Sequence, residues 1–258
     1  MSDTVQYEQR DAVAVISLNR PDALNGFNTE MRAALLEALE KAAADDAVRT
    51  VVLAAEGRCF SAGADLKAGF DDEGGVEAQL QDEYRPSLEA IADMPKPVIA
   101  AVNGFAAGIG LSYALQADLL VMAEDSFLLS PFTTISLVPD GGANWMLVRH
   151  LGYRRAYQLS VESERIPATR CVELGLANRT VPADSLRDEA VAWAGDLAGR
   201  APLSLAATKK AMRFAMDHDW SASYDLEAAL QADLLASDDA REGVAAFFEK
   251  RAPEFKGR

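Results

Sequence analysis

The chain has 258 residues, 50% of them hydrophobic, with 40 acidic against 25 basic residues and a formal net charge of −15. That is enough apolar material for one large α/β domain, with or without a helical appendage, and it argues against global disorder. The acidic excess argues against a nucleic-acid or anionic-membrane partner, and no apolar run reaches membrane-spanning length, so a cytoplasmic protein is expected.

In chain order, residues 5–9 and 12–18 alternate or run apolar with β-branched side chains and predict two antiparallel strands around Arg10-Asp11. Asn28 or Thr29 caps a helix running to about residue 44, with Met31, Leu35 and Leu39 along one face. Residues 50–55 predict a buried strand, and the loop 56–58 leads into a corner of small residues, Cys59-Phe60-Ser61-Ala62-Gly63-Ala64-Asp65-Leu66. Residues 67–76 hold three glycines and three acids and are expected to be mobile. A helix over 77–92 follows, broken by Pro95-Lys96-Pro97.

Val98 to Val102 reads as a buried strand, followed by a second small-residue turn, Asn103-Gly104-Phe105-Ala106-Ala107-Gly108, and a helix from Ile109 towards Asp118. A strand, a tight turn and a helix start together place backbone N–H groups where negative charge can sit, and glycine lets the chain approach a ligand closely. One such turn is equally a device for close helix–strand packing; the second corner at 59–66 shifts the balance towards a site. Residues 118–123 predict another strand. The stretch 128–138 is apolar and threonine-rich, and Pro139-Asp140-Gly141-Gly142 turns into a helix over 143–150.

Beyond residue 153 the periodicity is helical, over 153–160, 169–174, 184–197, 203–216, 221–236 and 239–250. The expected division is an α/β core over 1–195 and a helical region over 196–258. Cys59 and Cys171 form no disulfide framework, and Cys59 suits a small buried hydrophobe better than a reactive thiol. His150 and His218 stand in no metal-ligand spacing, so no metal site is expected.

The pairing of Ser61-Ala62-Gly63-Ala64-Asp65-Leu66 with Pro95-Lys96-Pro97-Val98-Ile99-Ala100-Ala101-Val102-Asn103-Gly104 resembles the crotonase superfamily, the enoyl-CoA hydratase/isomerase family. Leu18-Asn19-Arg20-Pro21, Ala23-Leu24-Asn25, Asp118, Glu242-Gly243 and Phe247-Phe248-Glu249-Lys250-Arg251 extend the likeness over nearly the whole chain. The resemblance implies a ClpP/crotonase-like spiral of ββα units with a C-terminal helical trimerisation region, assembled as a homotrimer or a dimer of trimers. It also implies an acyl-CoA thioester as substrate, with coenzyme A part of that substrate and no separate cofactor.

The shared chemistry of such proteins runs through a thioester enolate. By similarity, the backbone amides of Ala64 and Ile109 form its oxyanion hole, each donor of this kind being worth about 3–4 kcal/mol in the transition state. The resemblance also places the adenine of coenzyme A against Ala62, Asp65 and Leu66, near Ala23 and Leu24. It offers Lys250, from a neighbouring subunit, for the phosphates, with Lys67 and Arg58 as weaker candidates.

Two departures bear on the reaction. The two glutamates of a hydratase of this family fall on Ser112 and Phe132, neither of which is an acid. Asp140, in contrast, sits where related enoyl-CoA isomerases place their single carboxylate, and Phe132 would help to exclude water and raise its pKa. The alternative for Asp140 is a helix cap near Gly142. The expected reaction is a double-bond shift in an enoyl-CoA with Asp140 as acid and base. Hydration, isomerisation of a ring-derived CoA ester of phenylacetate degradation (suggested by Pro-Asp-Gly-Gly-x-x-Trp with Trp145), and acyl-CoA binding without turnover are the alternatives. Residues 67–82 are expected to shape the acyl pocket. A dinucleotide oxidoreductase does not fit, because Gly104-x-x-x-Gly108-x-Gly110 departs from G-x-G-x-x-G, and Ser61 lacks a hydrolase elbow.

Overall fold

A computed structural model of the chain describes residues 3–68 and 75–258. Strands β1 (Val5–Arg10) and β2 (Val13–Leu18) turn about Asp11, and α1 (Thr29–Ala44) returns the chain to β3 (Thr50–Ala55). Helix α2 (Gly75–Gln79), a π-helical turn over Leu80–Tyr84 and α3 (Arg85–Asp93) lead to β4 (Val98–Val102). A short β5 (Phe105–Ala107) precedes α4 (Ile109–Gln116), β6 (Leu119–Ala123), β7 (Phe127–Leu129) and a 3-10 turn over Phe132–Ile135. Next come α5 (Ala143–Leu151), α6 (Tyr153–Glu162), β8 (Ile166–Pro167), α7 (Ala168–Glu173) and β9 (Arg179–Val181). Helices α8 (Leu186–Ala198), α9 (Pro202–Ala215), α10 (Trp220–Leu235) and α11 (Asp238–Glu249) complete the chain.

The main sheet has six strands in the order β1-β2-β3-β4-β6-β9, all parallel from β2 onward. Its central strands read as continuous apolar runs because both faces are covered. Ile16, Leu53, Val102 and Met122 face one layer with Met31, Leu35 and Leu39 of α1, all fully buried. Val13, Val15, Val52, Ile99 and Val121 face the other, under Leu186, Ala190 and Ala194 of α8. Helix α8 therefore belongs with the sheet, and the expected division at 195/196 falls inside it. A second, three-stranded sheet in the order β5-β7-β8 runs alongside.

Polar side chains secure the joints. Asn28 caps α1, its Oδ1 accepting from Met31 N at 3.0 Å. Lys96, between two prolines, donates to the carbonyls of Ala42, Ala43 and Asp45 at 2.7, 3.0 and 2.8 Å, placing a cation on the negative end of α1. Asp118 accepts from Val98 N at 2.9 Å and pairs with Lys209 at 2.7 Å and Arg213 at 3.0 Å, tying α9 to the start of β4. Beyond that tie α9 and α10 have no buried residue, and Trp220, Phe247 and Phe248 are each more than three-quarters exposed.

Three expectations need correction. The segment over 77–92 is not one α-helix, because the π-helical turn interrupts it and shifts its phase. The turn after Asn103 contains β5, and the region past residue 153 contains β8 and β9. Strands of two or three residues carry too little alternation to register as a period. The mobility expected of residues 67–76 falls largely on 69–74, which lie outside the described residues. Among the described residues no helix is long and apolar enough to cross a membrane.

Candidate active site

The first corner is shaped by two buried side chains. Asn25 donates to the carbonyls of Glu56 and Cys59, both at 2.8 Å, and its Oδ1 accepts from Arg20 N at 2.8 Å. Ser61 donates to Asn25 O at 2.7 Å and accepts from Gly63 N at 3.0 Å. These bonds hold Gly63 at φ 102°, a left-handed conformation that side chains resist. The second corner turns at Gly108, φ 58°, which is also the N-cap of α4.

The two corners touch. A Cβ on Gly63 would stand 3.0 Å from Ala107 O, 3.4 Å from Gly108 Cα and 3.5 Å from Ile109 N. Bridges between Ser61 and Ala106, and between Phe27 and Ala64, stitch them to the frame. The Ile109 amide opens α4, where the helix dipole favours negative charge. Among the described residues, neither the Ala64 nor the Ile109 amide donates to a backbone carbonyl.

Both corners line one cavity of about 530 Å³. Ala62, Gly63, Ala64 and Leu66 form one side and Gly108 and Ile109 the other. Phe132, Ile135 and Val138 close it with apolar surface, and Asp140 is the one carboxylate of its lining among the described residues. The Asp140 Oδ1 is buried with no hydrogen-bond partner among the described residues. Burial pushes this carboxyl up from 3.8 to about 6. Its backbone carbonyl accepts from the Ser112 hydroxyl at 2.8 Å and from Ala143 N at 3.1 Å. Helix α5 starts from Gly142 without any side-chain cap, so the Asp140 carboxylate is not spent on capping.

The residues named from the sequence divide into three groups. Ala62, Ala64, Leu66, Ile109, Phe132 and Asp140 share the cavity. Ala23, Leu24 and Asp65 lie outside its lining: Leu24 O accepts from Ala62 N at 2.9 Å, and Asp65 pairs with Arg20 at 3.0 Å. Lys250 is the exposed C-cap of α11 and does not reach the cavity within one chain. Trp145 also faces elsewhere, donating to Asp217 at 3.2 Å. Leu80 and Tyr84, brought to the wall by the π-helical turn, were invisible to a 3.6-residue period. A break in that period within 77–92 is the signal that would have found them.

Elsewhere, a cavity of about 620 Å³ lies between α5 and α9, but its carboxylate, Asp118, is already neutralised by Lys209 and Arg213. Burial pushes the thiols of Cys59 and Cys171 up to about 11 and about 12, so neither is a ready nucleophile. Among the described residues no cluster of His, Cys, Asp and Glu is arranged to hold a metal ion.

A mostly parallel, two-face-covered sheet that delivers two glycine corners to one apolar cavity, followed by projecting helices, is an α/β protein of the crotonase fold. Solved structures superpose accordingly: an enoyl-CoA hydratase from Bacillus anthracis gives a TM-score of 0.94 at 31% identity, covering 99% of this chain and 100% of that one. Residues 8–258 match the enoyl-CoA hydratase/isomerase family, and the chain belongs to that family of acyl-CoA enzymes. A Rhodobacter capsulatus protein named as a probable enoyl-CoA hydratase is 40% identical, over 99% of this chain and 98% of its own. The 1,2-epoxyphenylacetyl-CoA isomerase of Escherichia coli is 37% identical, over 95% of each chain.

Proposed function

We propose that this chain moves a double bond within an enoyl-CoA. The amides of Ala64 and Ile109 hold the thioester oxygen as it gains negative charge, and the Asp140 carboxylate takes a proton from C2 and returns it at C4. The observation that carries this reading is the Asp140 carboxylate, buried with an unpartnered Oδ1 and the one carboxylate among the described residues of a mostly apolar cavity shared with both corners. A carboxyl pushed up to about 6 is a stronger base than an ordinary aspartate and still ionised at neutral pH. Ser112 and Phe132 offer no second acid to activate water. Coenzyme A runs over Ala62, Asp65 and Leu66 beside Ala23 and Leu24, and Lys250 of a neighbouring copy in a homotrimer, or in a dimer of trimers, meets its phosphates. The exposed aromatic residues of α10 and α11 support such an assembly.

Incubation with a 3-enoyl-CoA should yield the conjugated 2-enoyl thioester, read by its ultraviolet absorbance. Asp140→Asn should abolish turnover while the ester still binds. An active Asp140→Asn enzyme would remove Asp140 from the mechanism, and rapid hydration of a 2-enoyl-CoA by the parent would favour the hydratase alternative. A ring-derived substrate is a second reading, supported by the 37% identity to an epoxyphenylacetyl-CoA isomerase. Binding of acyl-CoA without turnover would appear as ester affinity with no product.

A further inference from the structure

One neutral side chain in the cavity wall has half of its hydrogen-bonding capacity unused. Tyr84 closes the π-helical turn, is 2% exposed and lines the cavity together with Asp140. Its hydroxyl oxygen accepts from Arg32 Nη1 at 3.3 Å. Arg32 is itself 4% exposed and fixed by Glu83 at 2.7 Å, the Thr29 hydroxyl at 2.9 Å and Phe27 O at 3.3 Å. A phenol carries one proton beside its acceptor lone pairs, and that proton meets no acceptor among the described residues. Burial holds the Tyr84 hydroxyl above its ordinary pKa, so the proton stays on at neutral pH.

A buried donor without a partner is costly, and with Arg32 on one side of the hydroxyl and no acceptor among the described residues, a ligand in the cavity that Tyr84 lines is placed to supply one. Among the described residues, the other side chains of the wall are apolar except for Asp140 and Gln79. No hydrogen bond joins Tyr84 to Asp140, and Gln79 is held by no bond among the described residues, whereas the Tyr84 hydroxyl is pinned in place by Arg32. We propose that Tyr84 donates a hydrogen bond to an oxygen borne on the acyl chain, so that the site selects oxygen-bearing acyl-CoA esters over plain hydrocarbon ones. This rests on the acyl-CoA reading above and adds a specificity-determining residue to it.

The test uses the full chain and unreactive esters, so it does not depend on turnover. Dissociation constants are measured by calorimetry for hexanoyl-CoA and for three isosteres in which oxygen replaces the methylene at C3, C4 or C5. In the parent, one ether position should bind about 5-fold or more tighter than the other two, because only one can meet a fixed donor. In Tyr84→Phe the ratio of that ether's constant to that of hexanoyl-CoA should rise about 5- to 10-fold, and this ratio cancels any general loosening of the pocket. The thioester oxygen is common to all four probes and cancels as well. Ether binding that is indifferent to position in the parent, or a ratio unchanged in Tyr84→Phe, overturns the proposal while leaving the acyl-CoA reading intact. Failure of every CoA ester to bind overturns both.

Discussion

The Ser112 hydroxyl donates to the backbone carbonyl of Asp140 at 2.8 Å, so the helix that begins at the second glycine corner also holds the turn that carries the carboxylate. One short helix thus sets the Ile109 amide and Asp140 relative to each other. Ser112 is 1% exposed, and its loss would leave that carbonyl with Ala143 N alone. Ser112→Ala should cost about 1 kcal/mol of stability. It should also lower kcat for 3-enoyl-CoA by roughly 10-fold through misplacement of the base, with KM moving less. An unchanged kcat would show that the bond does not position Asp140.

The pH dependence should follow the Asp140 carboxyl. The ionised form is the base, and burial places its titration at about 6. Plotted against pH, kcat/KM for isomerisation should rise through about 6 and level off above it. A limb near 4 instead would mean that the working base is an ordinary exposed carboxylate.

Stability should respond in the opposite sense. Between 3.8 and about 6 the folded chain holds a proton on Asp140 that the unfolded chain has released, so stability falls as pH rises through this window. Asp140→Asn removes that loss. Chemical denaturation should find the variant level with its parent near pH 3.5, gaining through the window, and more stable by about 1–3 kcal/mol above it. A variant that is less stable at pH 8 would contradict the burial argument.

Gly63→Ala attacks the contact between the corners. It forces a side chain onto a φ of 102° and sets a Cβ 3.0 Å from Ala107 O and 3.5 Å from Ile109 N. The expected cost is about 1–2 kcal/mol in thermal or denaturant unfolding. Turnover should fall by roughly 100-fold or more, as it does when an oxyanion donor is displaced. Normal turnover in a destabilised variant would separate this corner from the chemistry.

Asp118→Asn leaves Lys209, 9% exposed at its side chain, beside Arg213 without its ion-pair partner. A stranded buried charge of this kind costs about 3 kcal/mol, to be read as a lower denaturant midpoint. Lys209→Met in the same background should recover part of the loss, since it removes the charge and keeps the bulk.

Much of this arrangement is legible in the residues themselves. Val98 to Val102 shows as a buried strand because both sides of it are covered, and Met31, Leu35 and Leu39 show as a helix face because only one side is. The corners stand out through their glycines, and Asp140 through its place in a Pro-Asp-Gly-Gly turn. Contacts that depend on distant partners stay hidden. Nothing local to Ser112 points to the Asp140 carbonyl, and nothing local to Tyr84 points to Arg32, 52 positions away. Trp145 misleads for the same reason: its neighbours in sequence belong to the site, yet its indole reaches Asp217.

The wide turn at Leu80–Tyr84 rotates helix α3 by roughly 100° relative to an unbroken α-helix. Upstream of the shift the stretch furnishes the cavity; downstream, Leu88 and Ile91 stay in the interior, 6% and 0% exposed. One length of chain therefore holds two separately editable tracts. Replacements at Gln79 and Leu80 would reshape the cavity wall upstream of the shift, while Tyr84 and the apolar residues beyond it stay committed to the packed interior.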